Sequence, residues 1–274
     1  MHISDLHMHR LPRDPREYAS KRILGAANLV LRRRRRFPRA RAEALMTHLA
    51  EQPWDHLLIT GDITQLGTRA EFELARKMLQ PLLERGRERV TLLPGNHDRY
   101  VPESPGKGAF EAVFPEFASE GDIATRQLTE RWWLVVWDSA IPAPWLSAAG
   151  RVRPETLRAT SEWLASLPTG ARVIVANHYP VFFPPPHHHD STHDLANQAA
   201  VERWLLDHPV ALYLHGHIHH NWVHGEKGAH GTVTAVNSAA STQQLPPGRS
   251  GTESSYHRIV LEGGDFKIEP QVFP

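Results

Sequence analysis

A chain of 274 residues, 41% hydrophobic and 22% charged, is long enough to bury a large core and has the composition of a globular rather than a disordered protein. It holds no run of about 18 apolar residues, so a membrane-spanning helix is not expected, and its start lacks the basic, apolar, small-residue order of a secretory leader. Cysteine is absent, which excludes disulfides and thiolate metal sites and leads to the expectation of a cytoplasmic protein. The net charge of +1 hides a block: residues 21–41 carry nine basic side chains (Lys21, Arg22, Arg32, Arg33, Arg34, Arg35, Arg36, Arg39, Arg41) and no acidic one.

Met1-His2-Ile3-Ser4 leaves room for only a short first strand. Apolar, β-rich runs follow at 56–60, 89–93, 132–137, 172–176, 210–214 and 232–236. A last pair, 256–261 and 266–272, is split by Gly263-Gly264-Asp265, a hairpin signal. Helical periodicity covers 39–51, 68–85, 154–167 and 197–207; in the second of these Phe72, Leu74, Ala75, Met78, Leu79 and Leu82 form one stripe. Strands alternating with helices predict an α/β fold. No repeat or domain boundary is evident, so residues 1–274 read as one domain with a basic helical insert at about 18–41.

Polar clusters stand where the strands end: Asp5-x-His7, Gly61-Asp62, Gly95-Asn96-His97-Asp98, Asn177-His178 and Gly216-His217-x-His219. Ligands of open α/β sheets bind beyond the carboxyl ends of strands, so these clusters are placed to meet. Each is weak alone, since Gly-Asp is an ordinary turn pair; five in one order are not. Hard oxygen donors mixed with imidazoles suit divalent manganese, iron, zinc or nickel and argue against an all-oxygen calcium site. Seven ligands serve two ions if one carboxylate bridges, and Asp62, the lone carboxylate of its cluster, is the natural bridge.

These motifs resemble, in order and spacing, those of the calcineurin-like metallophosphoesterases, from Asp5 to the last strands. The resemblance implies a four-layer α-β-β-α sandwich of two mixed sheets flanked by helices. It implies that Asp5, His7, Asp62 and His219 hold one divalent ion and Asp62, Asn96, His178 and His217 the other, with manganese first and iron or zinc next. Asn177-His178-Tyr179-Pro180-Val181 is similar to a segment of purple acid phosphatases, but Ile63-Thr64 follow Asp62 where those enzymes carry a tyrosine ligand. The expected activity is hydrolysis of a phosphodiester, phosphoanhydride or phosphomonoester by a hydroxide shared between the metals. His97 is the expected acid for the leaving oxygen or stabiliser of the phosphoryl group, and Asp98 is expected to orient its ring. His2, His9, His215 and His220 read as residues that pack beside the ligands or support them from behind.

In the insert, Ile23, Leu24, Ala27, Val30 and Leu31 share one helical face, with Arg32 to Arg36 after them. Basic amphipathic segments bind anionic headgroups, so a peripheral contact with the inner face of a membrane is expected, against a plain solvated helix. The segment is similar to an insert of family members that cleave lipid A precursors, which implies a lipid-linked nucleotide diphosphate of the UDP-2,3-diacylglucosamine type. Those enzymes carry Arg where this chain has His97, and Gly-Asn-His is also the pattern of class III cyclic-nucleotide phosphodiesterases, the alternative substrate class. Rivals of other kinds are a metal-free protein-binding scaffold and a nucleic-acid binder; the latter ranks last because no aromatic platform accompanies the arginines.

Overall fold

The computed structural model describes residues 1–12, 14–18, 22–101, 108–119, 121–142, 144, 147–244 and 255–273. Lys21 of the basic block and the side chain of Arg32 lie outside what it describes. The chain opens with β1 (His2–Ile3), then the insert helices α1 (Arg22–Asn28) and α2 (Arg34–Arg36), and α3 (Arg39–Glu51). It continues through β2 (Leu57–Thr60), α4 (Arg69–Leu83), β3 (Val90–Leu93), α5 (Ala109–Val113), β4 (Ala124–Gln127) and β5 (Trp132–Val136). The second half holds α6 (Pro154–Ser166), β6 (Arg172–Ala176), α7 (Gln198–Asp207) and β7 (Val210–His215). It ends with β8 (Trp222–Gly228), β9 (Gly231–Asn237), β10 (Ser255–Glu262) and β11 (Asp265–Val272).

One sheet runs β11-β10-β1-β2-β3 and the other β4-β5-β6-β7-β9-β8. Both are mixed: β1, β2 and β3 are parallel, as are β5, β6, β7 and β9, while β10–β11, β4–β5 and β8–β9 are antiparallel pairs. Successive side chains on a strand point to opposite faces, and here both faces are apolar. Leu57 and Ile59 of β2 pack on α3 and α4, while Leu58 faces the other sheet. On β6, Val173 and Val175 face the α6 and α7 side, and Ile174 and Ala176 face inward between the sheets. Strands buried on both faces read as continuous apolar runs, and the result is four layers: helices, sheet, sheet, helices.

Most expected elements occur within two residues of their expected limits. The edge strands β4 and β8 lie outside the expected set; each alternates half-buried with exposed residues and so carries no apolar run. The insert is less regular than the single helix expected there. Between α1 and α2 the chain makes a wide π-helical turn, Leu29–Arg33. Its outward residues are apolar: Ile23, Leu24, Val30 and Leu31 are exposed, Leu31 at 75%, while Ala26 and Leu29 are buried.

Candidate metal centre

All five polar clusters lie at the carboxyl ends of parallel strands or in the loops after them: Asp5 and His7 beyond β1, Asp62 beyond β2, Asn96 beyond β3, His178 beyond β6, and His217 and His219 beyond β7. The backbone there is bent hard. Asp5, His7, Asp62, His217 and His219 have φ of 55°, 44°, 51°, 76° and 60°, and no other described non-glycine residue has a positive φ. Left-handed backbone at a residue with a side chain costs about 1–3 kcal/mol, so five instances in one cup mark a place where the fold tolerates strain to aim side chains. Gly61 at φ 95° takes the same turn without that cost. Gly95 is required for another reason: a Cβ there would collide with the Asp62 carboxylate and backbone.

The rings are aimed by their outer nitrogens. His178 Nδ1 lies 2.7 Å from the Thr60 carbonyl, which only accepts, so Nδ1 carries the proton and Nε2 the lone pair. His217 Nε2 lies 3.0 Å from the His193 carbonyl, which leaves its lone pair on Nδ1. His178 Nε2 then stands 3.1 Å from Asn96 Oδ1, 3.2 Å from His217 Nδ1 and 3.5 Å from Asp62 Oδ1. Four acceptors with no proton among them repel unless a cation joins them. On the other side of Asp62, His219 Nε2 is 3.0 Å from His7 Nε2 and 3.2 Å from Asp5 Oδ1, and His7 Nε2 is 3.7 Å from Asp62 Oδ2. Asp5 Oδ1 is buried and accepts no hydrogen bond from the described residues. Asp5, His7, Asp62 and His219 form one group whose donor atoms lie within 4.8 Å of one another, and Asp62, His178 and His217 form a second, sharing Asp62. The donor set thus fits two divalent ions.

Burial dominates the electrostatics. It lowers His7 and His97 well below the usual imidazole range and His178 to about 3, so these rings are neutral, the form that ligates metal. Burial, then the neighbouring Asp5 and Asp98 carboxylates, pushes Asp62 up, a penalty that a bound cation would reverse.

One expectation needs correction. Asp98 does not orient the His97 ring. Its carboxylate accepts from the backbone N–H groups of Ile63 (3.0 Å), Thr64 (2.8 Å) and Gly95 (2.9 Å) and from the Thr64 hydroxyl. It therefore ties the Asp62 loop to the Asn96 loop, because a carboxylate buried beside two turns is drawn to their unpaired N–H groups. The His97 ring is held instead by Gln65: Nδ1 donates to the Gln65 carbonyl at 2.7 Å. That leaves a lone pair on Nε2, which accepts from Arg33 Nη1 at 2.9 Å. In this arrangement the His97 Nε2 is thus a proton acceptor.

The loop after His178 contributes a residue that no motif announces. Asp194 Oδ1 lies 3.5 Å from His217 Nε2, behind the ring on the side away from His178, and its Oδ2 accepts from Asp190 N at 2.7 Å. Carboxylates so placed fix the tautomer and angle of a ligating histidine. The insert is fastened to the same cup. The buried Phe37 ring packs against His7 at 4.6 Å and His219 at 5.8 Å, its carbonyl accepts from His9 Nε2 at 3.0 Å, and Arg22 donates to the carbonyls of Leu66 and Gly67. His2 and His215 are buried beside the cup, and His2 Nε2 lies 2.9 Å from the Thr60 hydroxyl.

Residues 1–221 match the calcineurin-like phosphoesterase family. The fold resembles a dimetal phosphatase from Danio rerio, with a TM-score of 0.68 and 16% identity over 99% of this chain and 95% of that one. It also resembles a purple acid phosphatase from yellow lupin (Lupinus luteus) seeds, with a TM-score of 0.61 and 11% identity over 99% of this chain but 52% of the lupin chain, about half its length. No curated protein matches the sequence. At such identities the solved structures speak for the fold alone, and the family match carries the rest: the chain belongs to the calcineurin-like phosphoesterase family and is a binuclear phosphoester hydrolase.

Proposed function

We propose that Asp5, His7, Asp62 and His219 hold one divalent ion, that Asp62, Asn96, His178 and His217 hold a second, and that manganese, iron or zinc fills them. The observation that carries this is the set of acceptor atoms facing one another at 3.1–3.5 Å around His178 Nε2. Ions held there supply Lewis acidity towards a phosphoryl group and towards water. The protein's own part is to keep the imidazoles neutral and aimed, and to place His97 beside Asp62, whose Oδ1 accepts the His97 backbone N–H at 2.8 Å. For His97 to protonate a leaving alkoxide, Nε2 must first take up a proton and shed Arg33, since the Nδ1 proton is committed to Gln65.

The finer reading is a phosphodiester or phosphoanhydride substrate presented at the inner face of a membrane, a lipid-linked nucleotide diphosphate being the class that fits. What supports it is the insert: exposed Ile23, Leu24, Val30 and Leu31 next to exposed Arg34, Arg35 and Arg36, on a segment whose Phe37 touches the cup. No described helix is long and apolar enough to cross a membrane, so such a contact would be peripheral.

Asp62→Ala and Asn96→Ala should each reduce hydrolysis of bis-p-nitrophenyl phosphate to background, and metal analysis of the wild-type protein should find two ions per chain. Full activity after exhaustive chelation, or wild-type rates in either variant, would refute the assignment. Comparing nucleotide-diphosphate lipids, cyclic nucleotides and phosphomonoesters as substrates then separates the substrate classes.

A further inference from the structure

Arg33 stands apart from its neighbours in the basic run. Arg34, Arg35 and Arg36 are exposed, whereas Arg33 is half-buried and turns into the cup from the last position of the π-helical turn Leu29–Arg33. Such wide turns insert a residue into a helix and re-aim the side chains that follow, and they are frequent at functional sites. Through Nη1 alone, Arg33 reaches Gln65 Oε1 at 3.1 Å and His97 Nε2 at 2.9 Å. Both partners are neutral.

A guanidinium has five N–H donors. Among the described residues, Arg33 Nε and Nη2 make no hydrogen bond, and no carboxylate lies within ion-pair distance of the group. The contrast is Arg99, also partly buried, whose guanidinium is bracketed by Glu111 and by Asp138 at 2.8 Å. Burying a cation without a contacting anion is unfavourable: burial lowers the pKa of Arg33, and Asp62, beyond ion-pair distance, offsets part of that. The idle edge of Arg33 therefore has the fork geometry, the charge and the lack of a contacting carboxylate that suit a phosphoryl group's oxygens.

We infer that Arg33 grips a non-bridging phosphoryl oxygen pair of the substrate, so that the insert, rather than a strand-end loop, supplies the phosphate-binding cation of this site. The inference rests on the phosphoester-hydrolase reading above and deepens it: the insert is part of the substrate site as well as a surface feature.

The test uses the metal-loaded full chain, with inorganic phosphate as the binding probe and bis-p-nitrophenyl phosphate as the substrate. Losing a hydrogen bond to a charged group weakens binding roughly 10- to 100-fold. Arg33→Gln should weaken phosphate binding, measured calorimetrically, by that factor and raise KM similarly. Metal content and melting temperature should stay as in the wild type. Arg33→Lys should recover part of the affinity, the charge without the fork. Unchanged phosphate affinity in Arg33→Gln, with only kcat altered, would overturn the inference and leave Arg33 a positioning residue for His97. Loss of metal in both variants would overturn it too. A wild-type protein without metal-dependent hydrolysis would instead sink the underlying function, a result distinguishable from either.

Discussion

The strand-end cup and the insert are opposite in construction. In the cup, polar groups are buried: Asp5, His7, Asp62 and His178 are no more than 1% exposed, the first three on backbone bent into left-handed conformations. In the insert, apolar groups are exposed: Val30 at 56% and Leu31 at 75%, beside arginines that meet solvent. A buried polar group and an exposed apolar patch are the two departures from ordinary burial that carry information. The cup's excess of acceptors fits cations from solution, and the insert's apolar surface and positive charge are what the proposed membrane contact rests on. Phe37 and Arg33 join the two, because one packs on the His7 ring and the other bonds His97.

The comparison is sharpest if the two regions can be altered separately. Arg34, Arg35 and Arg36 changed together to Gln, with Arg33 kept, should cut binding to vesicles rich in anionic lipid more than 100-fold, since each cation near such a surface contributes about 1 kcal/mol. Turnover of the soluble substrate bis-p-nitrophenyl phosphate should not change. Cosedimentation checks the first arm and steady-state kinetics the second. Equal vesicle binding by the triple variant would return the insert to a solvated helix.

A smaller effect is expected within the cup. Asp194→Asn keeps the shape behind His217 but removes the negative charge 3.5 Å from its Nε2, and should weaken metal affinity about 10- to 100-fold while the melting temperature of the chelated protein stays near the wild-type value. Titration of the metal-free protein with Mn²⁺ reads the shift directly. Wild-type affinity would show that the His193 carbonyl, 3.0 Å from the same nitrogen, aims the ring without help.

Much of the fold and the cup was legible because both depend on local pattern. Runs such as Leu57–Thr60 and Arg172–Ala176 announce buried strands, and the residues after them inherit a position from the sheet. Asp194 and Arg33 were not legible, for different reasons. Asp194 lies in a loop without periodicity, and it meets His217 only because that loop folds back over the cup. Arg33 is one of five consecutive arginines, and nothing in the run separates the one that turns inward; the π-helical turn that re-aims it has no sequence signature here. Asp98 was misread because adjacency to His97 in sequence counted for more than the backbone N–H groups that the Ile63, Thr64 and Gly95 turns leave free.

Burial alone does not make an imidazole a ligand, and β2 carries the control. His56, just before the strand, is half-buried, and its Nε2 meets the Thr91 hydroxyl at 2.9 Å instead of converging on acceptors. Burial, then the charge of Arg126, lowers its pKa to about 3 from 6.5. The unfolded chain therefore binds a proton that the folded one refuses: the stability is fully present above about pH 6.5 and is lost as pH falls from there towards 3. The slope is at most about 1.4 kcal/mol per pH unit. His56→Gln keeps a hydrogen-bonding partner for Thr91 and removes the titration. In chelator, the difference between wild-type and variant unfolding free energies should therefore shrink steadily as pH is lowered from 7 to 5. Urea denaturation at several pH values measures this difference. A constant difference across that range would mean that His56 takes up its proton in the folded protein as readily as in the unfolded chain.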